Sequence, residues 1–107
     1  MRLLLDECVP RPLKRELPGH VVNTVGEMGW SSRRNSELLA LMLRSGFTAF
    51  LTVDQNLEFQ QNVRASGIAV VVVVARTNRL KELRPLAPAL RAALDRVQPG
   101  ELIRVTG

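Results

Sequence analysis

The chain has 107 residues, of which 46% are hydrophobic, 23% charged and 4% aromatic, and its formal net charge is +5. This length and composition are typical of one globular domain, residues 1–107, with an aliphatic core. The single cysteine, Cys8, excludes an intrachain disulfide and a cysteine-rich metal site. The longest apolar run, Ile68 to Ala75, is too short to span a membrane, so we expect a cytoplasmic protein with no membrane partner.

The net positive charge favours negatively charged binding partners. A basic surface attracts polyanions such as nucleic acid. An arginine-rich surface is also a general feature of many soluble proteins, and the sequence alone does not separate these two interpretations.

The first predicted strand ends in two adjacent carboxylates. Leu3 to Leu5 form a short apolar run, Asp6 and Glu7 follow it, and Pro10 and Pro12 prevent its extension. A short apolar run bounded by turn residues is typical of a buried strand in a parallel sheet. Ligands bind beyond the carboxyl ends of such strands, so Asp6 and Glu7 are candidate site residues. The alternative is that one of them caps the following helix.

The later segments alternate between helical and strand patterns. After the first strand, the sequence predicts further strands over 20–25, 48–53, 68–74 and 101–105. Between them it predicts helices over 10–17, 35–44 and 55–64, and a helical region over 78–97 that prolines divide. Five consecutive valines, Val70 to Val74, indicate a central strand covered on both faces. The alternation predicts an α/β sandwich with a mainly parallel sheet of four or five strands.

A strand order of 2-1-3-4-5 would place the topological switch point between strands one and three. Asp6 and Asp54, which follow these strands, would then lie side by side, and Glu37 begins the intervening helix next to Asn35. Clustered carboxylates repel each other unless a cation or a proton lies between them. Oxygen ligands with few histidines and no cysteine cluster favour Mg²⁺ or Mn²⁺.

Several other residues near this predicted edge have two interpretations each. Arg33, Arg34 and Arg76 could hold phosphate groups bidentately, or they could be solvated surface residues. Thr52, just before Asp54, could hydrogen-bond a carboxylate of the site, or it could be an ordinary β-branched strand residue.

Three blocks of the sequence resemble the small PIN-like domains, a branch of the PIN nuclease superfamily often found in bacterial toxin–antitoxin loci. The blocks are Leu3-Leu-Leu-Asp-Glu7, Asn35-Ser-Glu-Leu-Leu39 and Leu51-Thr-Val-Asp-Gln-Asn56, and the resemblance covers nearly the whole chain. It implies a three-layer α/β/α sandwich, an acidic cluster that binds Mg²⁺ or Mn²⁺, and hydrolysis of RNA phosphodiester bonds. It also implies the toxin half of a type II toxin–antitoxin module, an antitoxin protein as partner, and a homodimer.

The resemblance assigns roles to the acidic residues. Asp6 matches the first metal-binding acid and Glu7 its neighbour, Glu37 matches an acid of the middle helix, and Asp54 matches the last acid. In the implied mechanism Asp6, Asp54 and Glu37 hold the ion, and Glu7 with the ion activates a water. The arginines at 33, 34 and 76 hold the phosphate.

Two asparagines depart from the family pattern. Asn35 and Asn56 stand where relatives commonly have aspartate. An asparagine carbonyl can still coordinate a cation but brings no charge. We count Asn35 with the metal ligands and Asn56 with the substrate-binding residues.

Two alternatives remain at this point. The asparagine substitutions also fit a binding module that has kept the fold without nuclease activity. A phosphoacceptor receiver domain likewise has an acid pair after strand one and an aspartate after strand three. Receivers, however, use a hydroxyl residue after strand four and a lysine after strand five, whereas Ala75 and Arg76 follow strand four here and no lysine follows Val105.

Overall fold

One parallel sheet organises the chain. The computed structural model describes residues 1–55 and 59–106, without the side chains of Asn35 and of residues 59–62. In these ranges five strands form the order β2–β1–β3–β4–β5, and every neighbouring pair is parallel. The strands are β1 (Arg2–Leu5), β2 (Val21–Thr24), β3 (Ala49–Thr52), β4 (Ala69–Val74) and β5 (Leu102–Thr106). The predicted strand order is confirmed.

The helices cover both faces of the sheet. The α-helices of the described ranges are α1 (Asn35–Arg44), α2 (Phe59–Ser66), α3 (Leu80–Leu83) and α4 (Ala87–Arg96), and 3₁₀ helices span Arg11–Glu16 and Arg84–Leu86. Side chains alternate along each strand, so Leu3 and Leu5 pack with α3, α4 and the first 3₁₀ helix, whereas Leu4 packs with α1 and α2. The result is the expected three-layer α/β/α sandwich.

The valine strand is central, as its composition predicts. β4 lies between β3 and β5, and residues 69–73 are buried. Val71 and Val73 belong to one apolar cluster, and Val70 and Val72 to the other. No helix in the described part of the chain is long and apolar enough to cross a membrane.

The first predicted helix is a 3₁₀ helix. Pro12 occupies one of its first positions, and Leu17 precedes Pro18. Proline disfavours α geometry in the residue before it, so the segment is too short for a regular α-helix. By contrast, α1 has the predicted bounds, and Gly46 (φ 79°) ends it with the left-handed conformation that glycine adopts without steric cost.

The final crossover runs over an unexpected face. The connection from β3 to β4 passes through α2, and that from β4 to β5 passes through α3 and α4 on the opposite face of the sheet. Both connections move in the same direction across the sheet. Because they run over opposite faces in the same direction, the two connections have opposite hands. The β4–β5 connection also has the opposite hand to the β1–β2 and β2–β3 connections. About 98% of such connections are right-handed, so one crossover here belongs to the rare class.

The turn after β2 is fixed by a reciprocal pair of hydrogen bonds. The Thr24 amide donates to Glu27 Oε1 at 2.8 Å, and the Glu27 amide donates to Thr24 Oγ1 at 3.0 Å. Lys14 and Arg11 of the 3₁₀ helix contact the same carboxylate, at 2.9 and 3.2 Å. The hydrogen bond from Lys14, together with the Thr24 amide, lowers the pKa of Glu27 below its ordinary value of 4.5.

We expect Leu39→Ala to destabilise the protein by about 2–5 kcal/mol, because it opens a cavity beneath α1. Leu39 is 3% exposed, whereas Leu43, one turn later in the same helix, is 52% exposed. Leu43→Ala is the matched control and should change stability by no more than about 0.5 kcal/mol. Urea denaturation measures both, and equal effects would contradict this packing of α1.

A second prediction concerns acid stability. Because the folded-state pKa of Glu27 is depressed, its stabilisation is present above pH 4.5 and is lost as the pH falls through the folded-state value. Glu27→Gln should therefore be less stable than the parent at neutral pH, with the difference closing below pH 4.5. Denaturation curves across this range test it. Asp95→Asn, at an exposed position of α4, is the control, and an unchanged gap at low pH would refute the assignment.

Candidate functional site

The switch point of the sheet lies between β1 and β3. The chain leaves β1 over one face towards β2 and leaves β3 over the other face towards β4. Such a divergence opens a crevice at the carboxyl ends of the two strands. Leu5 pairs with Leu51, and the Asp6 amide donates to the Leu51 carbonyl at 2.9 Å. Asp6 is thereby held at this crevice.

The Asp6 carboxylate is held by short polar contacts although only 8% of the residue is exposed. Thr52 Oγ1 donates to Asp6 Oδ2 at 2.7 Å, and the Glu7 amide donates to Oδ1 at 2.9 Å. Thr52 is fully buried, and its hydroxyl also accepts a hydrogen bond from the Asp54 amide at 3.0 Å. The hydroxyl thus connects the end of β1 to the residue that follows β3.

Cys8 lies against the same carboxylate. Its Sγ is 3.6 Å from Asp6 Oδ2 and 3.9 Å from Thr52 Oγ1. Burial raises the pKa of the Cys8 thiol above its ordinary value of 9.0, and the charge of Asp6 acts in the same direction. The thiolate is the nucleophilic form of cysteine, so a raised pKa argues against a nucleophilic role for Cys8.

The loop after β4 reaches across to this crevice. Asn78 Nδ2 donates to the Cys8 carbonyl at 2.9 Å. This contact joins the loops that follow β1 and β4, which flank β3 on its two sides. Arg76 and Arg79, both exposed, belong to the same loop. Positive charge is therefore brought towards the edge where Asp6 lies.

Glu7 points to the loop before α1. Its Oε1 accepts a hydrogen bond from the Ser32 amide at 3.1 Å. Ser32 has a φ of 65°, an uncommon left-handed conformation for a residue other than glycine, and this hydrogen bond helps to hold it. Glu7 is exposed, and it sets the start of the segment that contains Arg33 and Arg34.

Glu37 is engaged locally. Its Oε2 lies 3.6 Å from Arg33 Nη1, one turn earlier, and both side chains are about half exposed, at 49% and 50%. Within the described residues this is the polar partner of Glu37, and no contact joins it to Asp6 or Thr52. The structure therefore brings Asp6, Thr52 and Asp54 together and leaves Glu37 and Arg33 paired on the surface of α1.

The remaining candidates are placed as follows. Arg34 is exposed and immediately precedes α1, and Arg76 follows β4 and lines a cavity beside α3. Asn35 is the first residue of α1, but its side chain lies outside the described part of the structure. Asn56 lies outside the described residues altogether.

The donor chemistry fits a hard divalent cation. Asp6 supplies carboxylate oxygens at this sheet edge, and the Asp54 amide is bonded to the hydroxyl that orients them. Mg²⁺ commonly needs only one or two carboxylates, with water and substrate phosphate as further ligands. Among the described residues, no group of three or more His, Cys, Asp or Glu side chains is arranged to hold a metal.

These features define a doubly wound α/β protein with a hydrogen-bonded carboxylate at its switch point. Comparison of the chain with known protein families, with curated proteins and with solved structures found no match.

The sequence leaves open whether Thr52 bonds a carboxylate of the site or is an ordinary strand residue, and the structure shows the first. The available signal is its position: it is the one hydroxyl residue in the strand Ala-Phe-Leu-Thr, whose four members are all buried. A polar group at a buried strand end needs a hydrogen-bond partner, and the neighbouring strand supplies Asp6 there.

We expect Thr52→Val to cost about 1–3 kcal/mol of stability, because it removes a donor from a nearly buried carboxylate while keeping the shape of the side chain. Thr52→Ser keeps the hydroxyl and should recover most of this loss. Thermal and urea denaturation provide the measurement. The exposed Thr48→Val serves as the control, and equal stability of the Thr52→Val variant and the parent would contradict the described contact.

Proposed function

We propose that this chain is a divalent-metal-dependent ribonuclease of the PIN-like kind. The observation that supports this best is the Asp6 carboxylate, which is 8% exposed and is oriented by the Thr52 hydroxyl at the switch point. Asp54 begins the loop two residues beyond Thr52, and its amide is bonded to the same hydroxyl. A fixed carboxylate at such a crevice is suited to holding a cation against a phosphate ester.

Asp6 and Asp54 would hold the ion, which supplies Lewis-acid stabilisation of the phosphate and lowers the pKa of a bound water. Thr52 keeps Asp6 in one rotamer, so one carboxylate is oriented before substrate binds. Glu7, next in sequence to Asp6, would accept the proton of the attacking water after exchanging its hydrogen bond with the Ser32 amide. Asn35 and Glu37 lie further out in this proposal, because Glu37 already pairs with Arg33.

Exposed arginines near this edge support a polyanionic substrate. Arg34 and Arg76 have no ion-pair partner among the described residues and are free to contact phosphate. Arg33, paired with Glu37, would have to exchange that partner. The net charge of +5 favours association with RNA at low ionic strength.

The proposal extends to a toxin–antitoxin setting, with an antitoxin protein as partner and a homodimer as the assembly. These parts rest on the sequence resemblance of the three blocks, Leu3 to Glu7, Asn35 to Leu39 and Leu51 to Asn56.

A second candidate is a binding module without nuclease activity. The Arg33–Glu37 ion pair favours it, because a carboxylate neutralised by arginine contributes less to metal binding. The uncharged residues Asn35 and Asn56 point the same way.

Cleavage of single-stranded RNA in Mg²⁺ or Mn²⁺ tests the proposal. We expect Asp6→Asn and Asp54→Asn each to lower kcat by at least about a hundredfold, because each removes a charged metal ligand from the transition state. Asp95→Asn, which makes the same change on the exposed face of α4, should leave kcat unchanged.

Calorimetric titration with Mn²⁺ separates the two candidates. Saturable binding that Asp6→Asn abolishes, together with cleavage, supports the nuclease. A parent protein that neither binds Mn²⁺ in the millimolar range nor cuts RNA refutes it and leaves the binding module.

A further inference from the structure

A second cavity opens at the same edge of the sheet as Asp6. It has a volume of about 470 Å³ and lies at the carboxyl ends of β4 and β5, beneath α3 and the 3₁₀ segment that follows it. This size is within the range of small-ligand sites. Because neighbouring strands are about 4.8 Å apart, β4 and β5 place the cavity one to two strand spacings from the Asp54 loop.

The walls of the cavity are of two chemical kinds. The apolar part is formed by Val74, Ala75, Pro85 and Leu86. The polar part consists of Arg76, Glu82 and Thr106. An apolar slot with a few polar groups at its margin is the usual composition of a site for an aromatic ligand.

The two charged groups in the lining are available to a ligand. Within the described residues, neither Arg76 nor the Glu82 carboxylate makes a hydrogen bond or an ion pair. Glu82 is partly buried, so its charge gains from a bound donor. Arg76 follows the end of β4, and Thr106 is the last residue of the neighbouring strand β5.

This arrangement selects a nucleotide over other ring compounds. Arg76, in the lining of the cavity, offers a bidentate site for a phosphate. A ring attached to that phosphate would occupy the apolar part of the cavity, with Glu82 available to its polar edge. A carboxylate accepts two parallel N–H bonds, and guanine is the neutral base with two adjacent N–H donors, N1–H and N2–H, on its pairing edge.

We propose that this cavity binds a guanine nucleotide, with the base between the apolar walls, its pairing edge on Glu82 and its phosphate on Arg76. The inference rests on the proposed function for the source of the nucleotide, which would be a guanosine of the RNA adjacent to the scissile phosphate. A free guanine nucleotide has the same chemistry, and the experiment separates the two sources.

The test is a titration of the ¹⁵N-labelled full chain with GMP, AMP, CMP and UMP, without metal. GMP should bind at least about tenfold more tightly than AMP, because AMP offers Glu82 one donor beside an acceptor. Amide signals of Ala75, Arg76, Glu82, Leu86 and Thr106 should shift. Glu82→Gln should bring GMP to the affinity of AMP, and the matched variant Asp95→Asn should leave the preference intact.

A uridine pentanucleotide with one central guanosine, compared with the all-uridine oligomer, identifies the source. Preference for the guanosine oligomer, lost in Glu82→Gln, supports RNA as the ligand. Preference for GMP alone supports the guanine site and assigns it to the free nucleotide. Equal affinity for all four nucleotides, or shifts confined to other residues, overturns the proposal.

Binding without metal keeps the two proposals separable. A chain that binds GMP through Glu82 but cuts no RNA refutes the nuclease and retains the guanine site. A chain that cuts RNA but binds all four nucleotides with equal affinity does the reverse.

Discussion

The hydrogen bond from the Thr52 hydroxyl to the Asp6 carboxylate determines how the candidate site is built. A carboxylate that is 8% exposed is costly to bury unless donors surround it. Parallel pairing of Leu5 with Leu51 brings Asp6 opposite Thr52, so the register of the sheet supplies the donor. The same hydroxyl accepts the Asp54 amide and therefore also fixes where the loop after β3 begins. The sheet register therefore fixes both the core packing and the site geometry. A register shift of one residue would bury Asp6 without its hydrogen-bond partner.

The reversed hand of the last crossover has consequences at the same edge. It puts α3 and α4 on the face of the sheet that holds the first 3₁₀ helix. Arg91 of α4 and Arg84, which follows α3, both contact Glu16 at the end of that 3₁₀ helix. A crossover on the other face would have lain beside α2. Because the chain leaves β4 on the side of the first 3₁₀ helix, Asn78 can bind the Cys8 carbonyl, and Arg76 lines the cavity next to α3. The cavity next to α3 is a product of that rare path.

Much of the fold follows from local pattern. The buried valine run, the strong helix formers of α1 and the glycine after it specify their elements almost to the residue, because local and long-range preferences agree there. The 3₁₀ geometry of residues 11–16 and the face of the last crossover were not predictable in this way. Proline spacing shortens the first, and the second depends on which face of the sheet remains open once α1 and α2 have packed.

The candidate site was predictable only in part. The carboxylates that end β1 and follow β3 are visible in the sequence, and the strand order then places them at one edge. Glu37 could pair with Arg33 or contribute to the predicted metal site. It pairs with Arg33 because this residue is an i,i+4 neighbour and is reached without closing a loop. The bridging position of Thr52 depends on register, which hydrophobic pattern alone leaves open between neighbouring strands.

The carboxylates of the described residues include some that pair with a cationic side chain and others that do not, and Asp6 belongs to the second group. Glu16, Glu27 and Glu37 each contact an arginine or a lysine. The donors around Asp6 are a hydroxyl, an amide and a thiol, all of them neutral, and no cationic side chain pairs with it among the described residues. Neutral donors hold a carboxylate in place without cancelling its charge, whereas an arginine would do both. Asp6 is thus oriented by neutral donors at the switch point of the sheet, and in the proposed function its charge would remain available to a cation.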